Sequence, residues 1–305
     1  MRSWSDDQIR KFKSIGFVPT MGYLHEGHLA LFNKARAENE RVVASIFVNP
    51  AQFSPNEDLA RYPRDFDGDR EKLAAVGVDA LFFPSAEELY GPGYKTYVEV
   101  KNVSNLLCGL NRPGHFRGVA TIVLKLFNLV RPAKAYFGQK DFQQLRVIRT
   151  MVRDLNLDLE IVGCPIVREP SGLAMSSRNA YLSDDEIRQA CCLYSSLMGA
   201  RRSFVLGETC SAVLVQGMVE TISKEPDAAI DYARIVNPTN LEDVAEANRD
   251  SVAVLAVRIG NVRLIDNMTL GNDYAPGLYY QLHNYWWSAC PVNRCCFFGD
   301  LKCNA

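Results

Sequence analysis

The sequence predicts an α/β fold: a parallel sheet covered on both faces, followed by a smaller α+β domain. Three observations carry this. Short β-branched apolar runs recur through the first 168 residues, segments of helical period separate them, and the texture changes after about Glu169. Strands that alternate with helices are joined by crossovers, so they lie parallel with both faces buried. Ligands of such sheets sit at the carboxyl ends of the strands. Chemistry is therefore expected in the loops after Thr20, Val48, Phe137 and Val167.

Residues 14–20 read as a short buried strand running into a loop, and residues 28–37 as a helix with Leu29 and Phe32 on one side. Residues 41–48 form a β-branched run closed by Asn49-Pro50, a buried strand. A helix over 71–76 stops at Gly77, and 78–83 is the next strand. An apolar helix is expected over 121–129, a strand over 135–137, a helix over 141–155 and a strand over 159–167. Beyond Glu169, helices are expected over 184–206 and 210–223, and strands over 230–236, 252–259 and 262–265. The domains are thus 1–168, 169–270 and a compositionally distinct tail, 271–305.

The 305 residues carry a formal net charge of -1, with basic residues dispersed, so no nucleic-acid or anionic-membrane surface is indicated. There is no run of 18 apolar residues, hence no expected membrane span. Residues 1–13 are polar and lack the apolar core of a secretory signal. Cys108, Cys164, Cys191, Cys192 and Cys210 form no CxxC pair and read as free core thiols in a reducing, cytoplasmic compartment.

Five segments hold the chemistry-bearing residues. In Met21-Gly22-Tyr23-Leu24-His25-Glu26-Gly27-His28, two histidines three apart follow a strand and open a helix. Free N–H groups at a helix start favour phosphate, and imidazoles there can donate to a polyphosphate. Protonation of His28 would gain as charge builds on a transferred phosphoryl group. Gly27 would let a bulky anion approach the backbone. An HxxH pair also fits a metal site, but further ligands would be needed, and only His115 and His283 remain. In Met175-Ser176-Ser177-Arg178, two hydroxyls and a fork of guanidinium donors suit phosphate oxygens. A turn with a helix cap fits the same residues.

In Gly138-Gln139-Lys140-Asp141, the glycine leaves room for a ligand and Lys140 offers a mobile cation; Asp141 suits ribose hydroxyls or a helix cap. Gln144, one turn on, and Gln52, just past the second strand, are neutral amides suited to substrate hydroxyls. Residues 111–119 hold Arg112, His115 and Arg117 between glycines, either to close a site or as a solvated loop.

FVPTMGYLHEGH, SIFVNPAQF, EDLARYPR, RPGHFRGV, YFGQKDFQQL, GLAMSSRN and RLIDN together resemble the pantothenate synthetase (pantoate–β-alanine ligase) family of HIGH-type nucleotidyltransferases, over about residues 14–268. The resemblance implies a Rossmann-like first domain, a C-terminal lid domain and a homodimer. It implies ATP with Mg2+, pantoate and β-alanine as ligands, and a pantoyl-adenylate intermediate. Carried over by position, Met21, Gly22, Tyr23, Leu24, His25, Glu26, Gly27 and His28 match the ATP loop, with His28 as proton donor. Gly138, Gln139, Lys140, Asp141, Val167, Met175, Ser176, Ser177 and Arg178 match the other ATP positions. Gln52 and Gln144 match pantoate-binding glutamines, Gln52 also lying at the β-alanine site. The implied catalytic set is His25, His28, Lys140 and Arg178, with no protein-held metal.

Two departures stand out. The family pattern usually has an extra strand and part of a helix before this Met1. It also usually ends soon after Asn267, whereas residues 271–305 add eight aromatics together with Cys290, Cys295, Cys296 and Cys303. That tail is expected to be an appendage to the catalytic fold. Among rival readings, a nucleotidyltransferase for a phosphorylated substrate would want more cations than Gln52 and Gln144 supply. An aminoacyl-tRNA synthetase would need a basic tRNA surface, and a non-enzymatic relative would have no need of every motif.

Overall fold

The computed structural model of the chain describes residues 1–55 and 57–271, and Met1–Gly271 forms one compact unit. Five strands build the first sheet: β1 (Ile15–Thr20), β2 (Arg41–Ile46), β3 (Ala80–Phe82), β4 (Lys134–Gly138) and β5 (Glu160–Cys164). All pair in parallel in the order β3-β2-β1-β4-β5. The order reverses between β1 and β4, where the flanking crossovers lie on opposite sides and leave a crevice at the carboxyl ends.

The helices among and after these strands are α1 (Arg2–Arg10), α2 (Glu26–Glu38), α3 (Phe66–Ala75), α4 (Ala86–Leu89), α5 (Cys108–Asn111), α6 (His115–Val130) and α7 (Phe142–Asp154). Side chains alternate across a strand with period two. Accordingly Phe17, Val43 and Phe137 share one core with Phe127 of α6 and Ile148 of α7. Val18, Val42, Ala44 and Tyr136 share the other with Phe32 of α2 and Leu73 of α3. Each fully buried aliphatic or phenyl side chain stabilises the sheet by about 1.5–3 kcal/mol.

The second part contains α8 (Asp184–Ala190), α9 (Cys192–Val205) and α10 (Ser211–Ile222), then an antiparallel sheet of β6 (Ala228–Val236), β7 (Val252–Ile259) and β8 (Val262–Thr269). Central β7 is buried at every position but Arg258. Leu255 and Val257 join Leu197, Leu214 and Met218 in the core of this part, while Val252 and Val254 join the core under the first sheet. The three-stranded sheet is thus packed on both sides.

Several boundaries differ from expectation. The polar N-terminal stretch is the helix α1. Helix α3 starts at Phe66, because the Asp65 carboxylate caps it by accepting from the Gly68 N–H at 3.1 Å. Helix α6 starts at His115, so half of the expected arginine-rich loop is helical. Strand β5 stops at Cys164, just before Pro165, which has no N–H for the ladder. The expected helix over 184–206 is two helices with a turn at Cys191. Cys108, Cys164 and Cys192 are free and buried, while Cys191 and Cys210 are free and only partly buried. Among the described residues no helix is long and apolar enough to cross a membrane. The expectations for the aromatic and cysteine-rich tail fall on 272–305, outside the described residues.

Candidate active site

The first loop leaves β1 at Thr20 and enters α2 at Glu26. It turns through the left-handed region at Gly22 (φ 87°) and Tyr23 (φ 54°). A side-chain contact from α3 holds it there: buried Asp69 accepts from the N–H groups of Tyr23 and Leu24, each at 2.7 Å. Lys72, one turn along α3, donates to the Leu24 carbonyl at 2.8 Å. Neither residue stands out in the sequence, since each lies more than 40 positions from the loop it holds.

At the helix start the two histidines cap each other. His25 Nδ1 accepts from the Gly27 N–H at 3.2 Å, and His28 Nδ1 accepts from the His25 N–H at 3.3 Å. Their ring centroids are 4.0 Å apart. With Nδ1 accepting on both rings, each neutral imidazole carries its proton on Nε2. Burial, then the charge of Lys140, pushes His25 down to about 4. Burial, then His25 and Lys140, pushes His28 down to about 3. At neutral pH both are uncharged and donate from Nε2. A Cβ at Gly27 would stand 2.9 Å from the His25 ring, so the missing side chain also makes room for the imidazole, and Gly27 lines the inner cleft.

The second loop follows β2. Buried Asn49 and Gln52 lie in and beside a short 3-10 turn, Pro50–Gln52. Asn49 Nδ2 donates to Gln52 Oε1 at 3.0 Å, and Gln52 Nε2 points at Met21 Sδ at 3.2 Å. Arg112 and His115, read as either closing a site or part of a solvated loop, line the outer cleft and buttress this turn. His115 Nδ1 donates to the Gln52 carbonyl at 2.8 Å, while its Nε2 accepts from Arg112 at 3.1 Å. Burial, then Arg112, lowers His115 to about 4. Gly118 lies so close that a Cβ would fall 2.2 Å from the Ala51 carbonyl oxygen.

The third loop follows β4. Nothing lies within 4 Å of a Cβ built on Gly138, so the expected open space is there. Asp141 precedes α7 but makes no side-chain cap bond. Asn267 of β8 donates to the carbonyls of Gln139 and Lys140, both at 3.0 Å. On α7, Gln143 turns inward and donates to the carbonyls of Val103 and Leu106 at 2.8 and 2.6 Å. Gln144 remains on the cleft wall.

The fourth segment crosses the cleft from the other side. Ser176 caps a 3-10 turn, Ser177–Tyr181, accepting from the Arg178 N–H at 3.3 Å. Ser177 donates to the Tyr23 carbonyl at 3.3 Å, joining this segment to the first loop. Arg178 is paired through two nitrogens with Asp58, at 2.9 and 3.0 Å.

A cleft of about 210 Å³ opens at the β1/β4 crevice, and His25, His28, Gln52, Lys140, Gln144 and Arg178 all line it. Met21, Gly27, Gly138, Asp141, Val167, Met175, Ser176 and Ser177 complete the expected residues on its wall. Gly22 and Leu24 are buried behind it and Glu26 is exposed; these three, with Tyr23 and Gln139, do not line it. An outer cleft of about 1010 Å³ shares Lys140, Asp141, Gln144, Ser176 and Arg178 and continues along β7 and β8.

The family model described as "Pantoate-beta-alanine ligase" matches residues 1–269. The chain belongs to that family. It is accordingly an enzyme, for the ATP-dependent ligation of pantoate and β-alanine. The pantothenate synthetase of Thermotoga petrophila is 55% identical over 271 residues, covering 89% of this chain and 97% of that protein. The crystal structure of pantothenate synthetase from Thermus thermophilus superposes with a TM-score of 0.83 at 48% identity, covering 85% of this chain and 94% of that one. The ligase from Francisella tularensis, complexed with β,γ-ATP and β-alanine, has a TM-score of 0.72 at 36% identity, covering 89% and 95%.

Proposed function

We propose that this enzyme joins pantoate to β-alanine in two steps at the β1/β4 crevice, through a pantoyl adenylate. The carboxylate of pantoate attacks the α-phosphorus of ATP, and pyrophosphate leaves. The amine of β-alanine then attacks the acyl carbon, and AMP leaves. The observation that carries this reading is one cleft wall shared by two uncharged imidazole donors, two cations and two neutral amides.

His25 and His28 donate from Nε2 to the phosphate chain as its charge redistributes, in a site where fixed donors need not reorganise. Lys140 and Arg178 supply positive charge, and Ser176 and Ser177 supply hydroxyls. Gln52 and Gln144 bind the uncharged part of pantoate, with β-alanine also at Gln52. The remaining expected positions act through backbone or cleft shape. Mg2+ accompanies ATP: it keeps most of its shell as phosphate oxygens and water and needs one or two carboxylates. Asp141, the carboxylate on the inner cleft wall, fits that need, and the ion would neutralise phosphate charge there. Residues 169–270 act as a lid that carries Ser176 to Arg178 onto the phosphates.

The family pattern further supports a cytoplasmic homodimer, which sedimentation at several concentrations would test. The deciding assay is pyrophosphate release with ATP, Mg2+ and pantoate, with and without β-alanine. Release in both cases, but pantothenate only with β-alanine, is expected. Release that requires β-alanine, or none with pantoate, would reject the two-step order.

A further inference from the structure

We propose that Tyr90 is a positioning residue, which through the side-chain amide of Asn49 presents Gln52 to the substrate as a hydrogen-bond donor. This rests on the reading that Gln52 contacts pantoate.

Asn49 is 1% exposed, and its amide has a partner for every polar direction. Its Oδ1 accepts from the Tyr90 hydroxyl at 2.9 Å and from the Ala51 N–H at 3.3 Å. Its Nδ2 donates to Gln52 Oε1 at 3.0 Å and to the Gly118 carbonyl at 3.1 Å. A flipped amide would set oxygen against the Gly118 carbonyl and NH2 against the Ala51 N–H, although the tyrosine hydroxyl could accept from that NH2. The orientation is therefore one-way, and Tyr90 supplies the acceptor side with its strongest donor. Burial raises the Tyr90 phenol well above its ordinary range, so the hydroxyl stays a donor.

The consequence falls on Gln52. Its Oε1 is taken by Asn49, so the group left for the cleft is Nε2–H. Among the described residues that group points at Met21 Sδ, a weak acceptor that a substrate oxygen displaces. Gln52 thus selects an acceptor oxygen, a carboxylate or a hydroxyl lone pair. The Tyr90 ring is held independently of its hydroxyl, with centroids 6.3 Å from Phe47 and 5.0 Å from Tyr94. Tyr90→Phe therefore removes the hydrogen bond and leaves the packing.

Steady-state constants for Tyr90→Phe, Gln52→Ala and the double variant test the relay, with thermal melting to verify the fold. Loss of one buried hydrogen bond corresponds to roughly 2- to 10-fold. Tyr90→Phe should raise KM for pantoate by about that factor, leave KM for ATP unchanged, and add nothing in the Gln52→Ala background. A rise in both KM values alike, or a full effect that persists without Gln52, would mean a merely structural role and overturn the relay. So would an unchanged Tyr90→Phe beside an impaired Gln52→Ala, with the pantoate assignment intact. Gln52→Ala with a normal pantoate KM would overturn that assignment itself, and the relay with it.

Discussion

Replacing Asp69 by asparagine changes almost no volume and removes one charge, which makes it a sharp probe of the nucleotide loop. The Asp69 carboxylate is 1% exposed and uses one oxygen for each of two N–H groups, on Tyr23 and Leu24 at 2.7 Å. An asparagine keeps one oxygen and turns an NH2 toward the other N–H. One charge-assisted bond, worth about 1.5–3 kcal/mol, is lost outright, and the second weakens by about 1 kcal/mol to a neutral one. The loop has its own reason to leave: Tyr23 sits at φ 54°. A non-glycine residue in the left-handed region costs roughly 1–2 kcal/mol, which the loop recovers by relaxing. The expected loss, after that recovery, is therefore about 0.5–3 kcal/mol of stability. At ~2–4 °C per kcal/mol for a protein of this size, melting should fall by roughly 1–12 °C. Urea unfolding gives the first number, and ATP titration should reveal weaker binding as the loop loses its shape. A variant within about 0.5 kcal/mol of the parent, the range of ordinary surface changes, and with unaltered ATP affinity would refute the claim that Asp69 shapes the loop.

Other outcomes follow from the same geometry. His28→Ala should slow adenylate formation by roughly 100-fold or more, the scale of a lost preorganised donor, with a smaller effect on binding of pre-formed pantoyl adenylate; single-turnover rates decide it. Gln144→Ala should cost about 1–3 kcal/mol in pantoate binding and spare ATP; equal losses for both ligands would contradict the division of the cleft. His25, His28 and His115 are held at about 4, about 3 and about 4, below the ordinary 6.5, so the unfolded chain binds protons that the folded one refuses. Their contribution to stability is complete above about 6.5 and shrinks as pH falls toward 4; urea midpoints at several values across that window should decline, and a flat profile would contradict neutral burial. Hydrogen exchange over residues 175–179 should slow on saturation with ATP, whereas unchanged protection would argue for a static site without a lid.

Local signals make much of this legible. The run from Ile15 to Thr20 and the histidine pair after it lie on adjacent elements, so spacing alone places them at a sheet edge. Helical period likewise separates Gln144 from the core. Contacts between distant segments are not legible. Asp69 meets the loop across 46 positions and Asp58 meets Arg178 across 120. Neither carries a local pattern, because an acidic residue in a polar helix or loop reads as solvated. A second need for Gly27 is hidden for a similar reason: its close neighbour is a side chain two residues back that folds over it. The helix from His115 begins earlier than its sequence suggests, since Pro113-Gly114 and the arginines read as a loop until the buried face of α6 is seen.

The two bonds from Asn267 to the carbonyls of Gln139 and Lys140 span 128 and 127 positions. On a ribosome the lysine loop emerges first and its anchor emerges last. At 5–20 residues per second the delay is roughly 6–26 s, long against the folding of a single sheet. During that interval the five-stranded sheet can pack and the Gln139 N–H can reach the Cys164 carbonyl, but the loop that carries Lys140 lacks its two bonds from Asn267. The crevice is therefore finished by the final strand of the family fold, and a nascent chain halted between Cys164 and Asn267 would hold its histidines and glutamines beside a lysine loop that lacks this last pair of bonds.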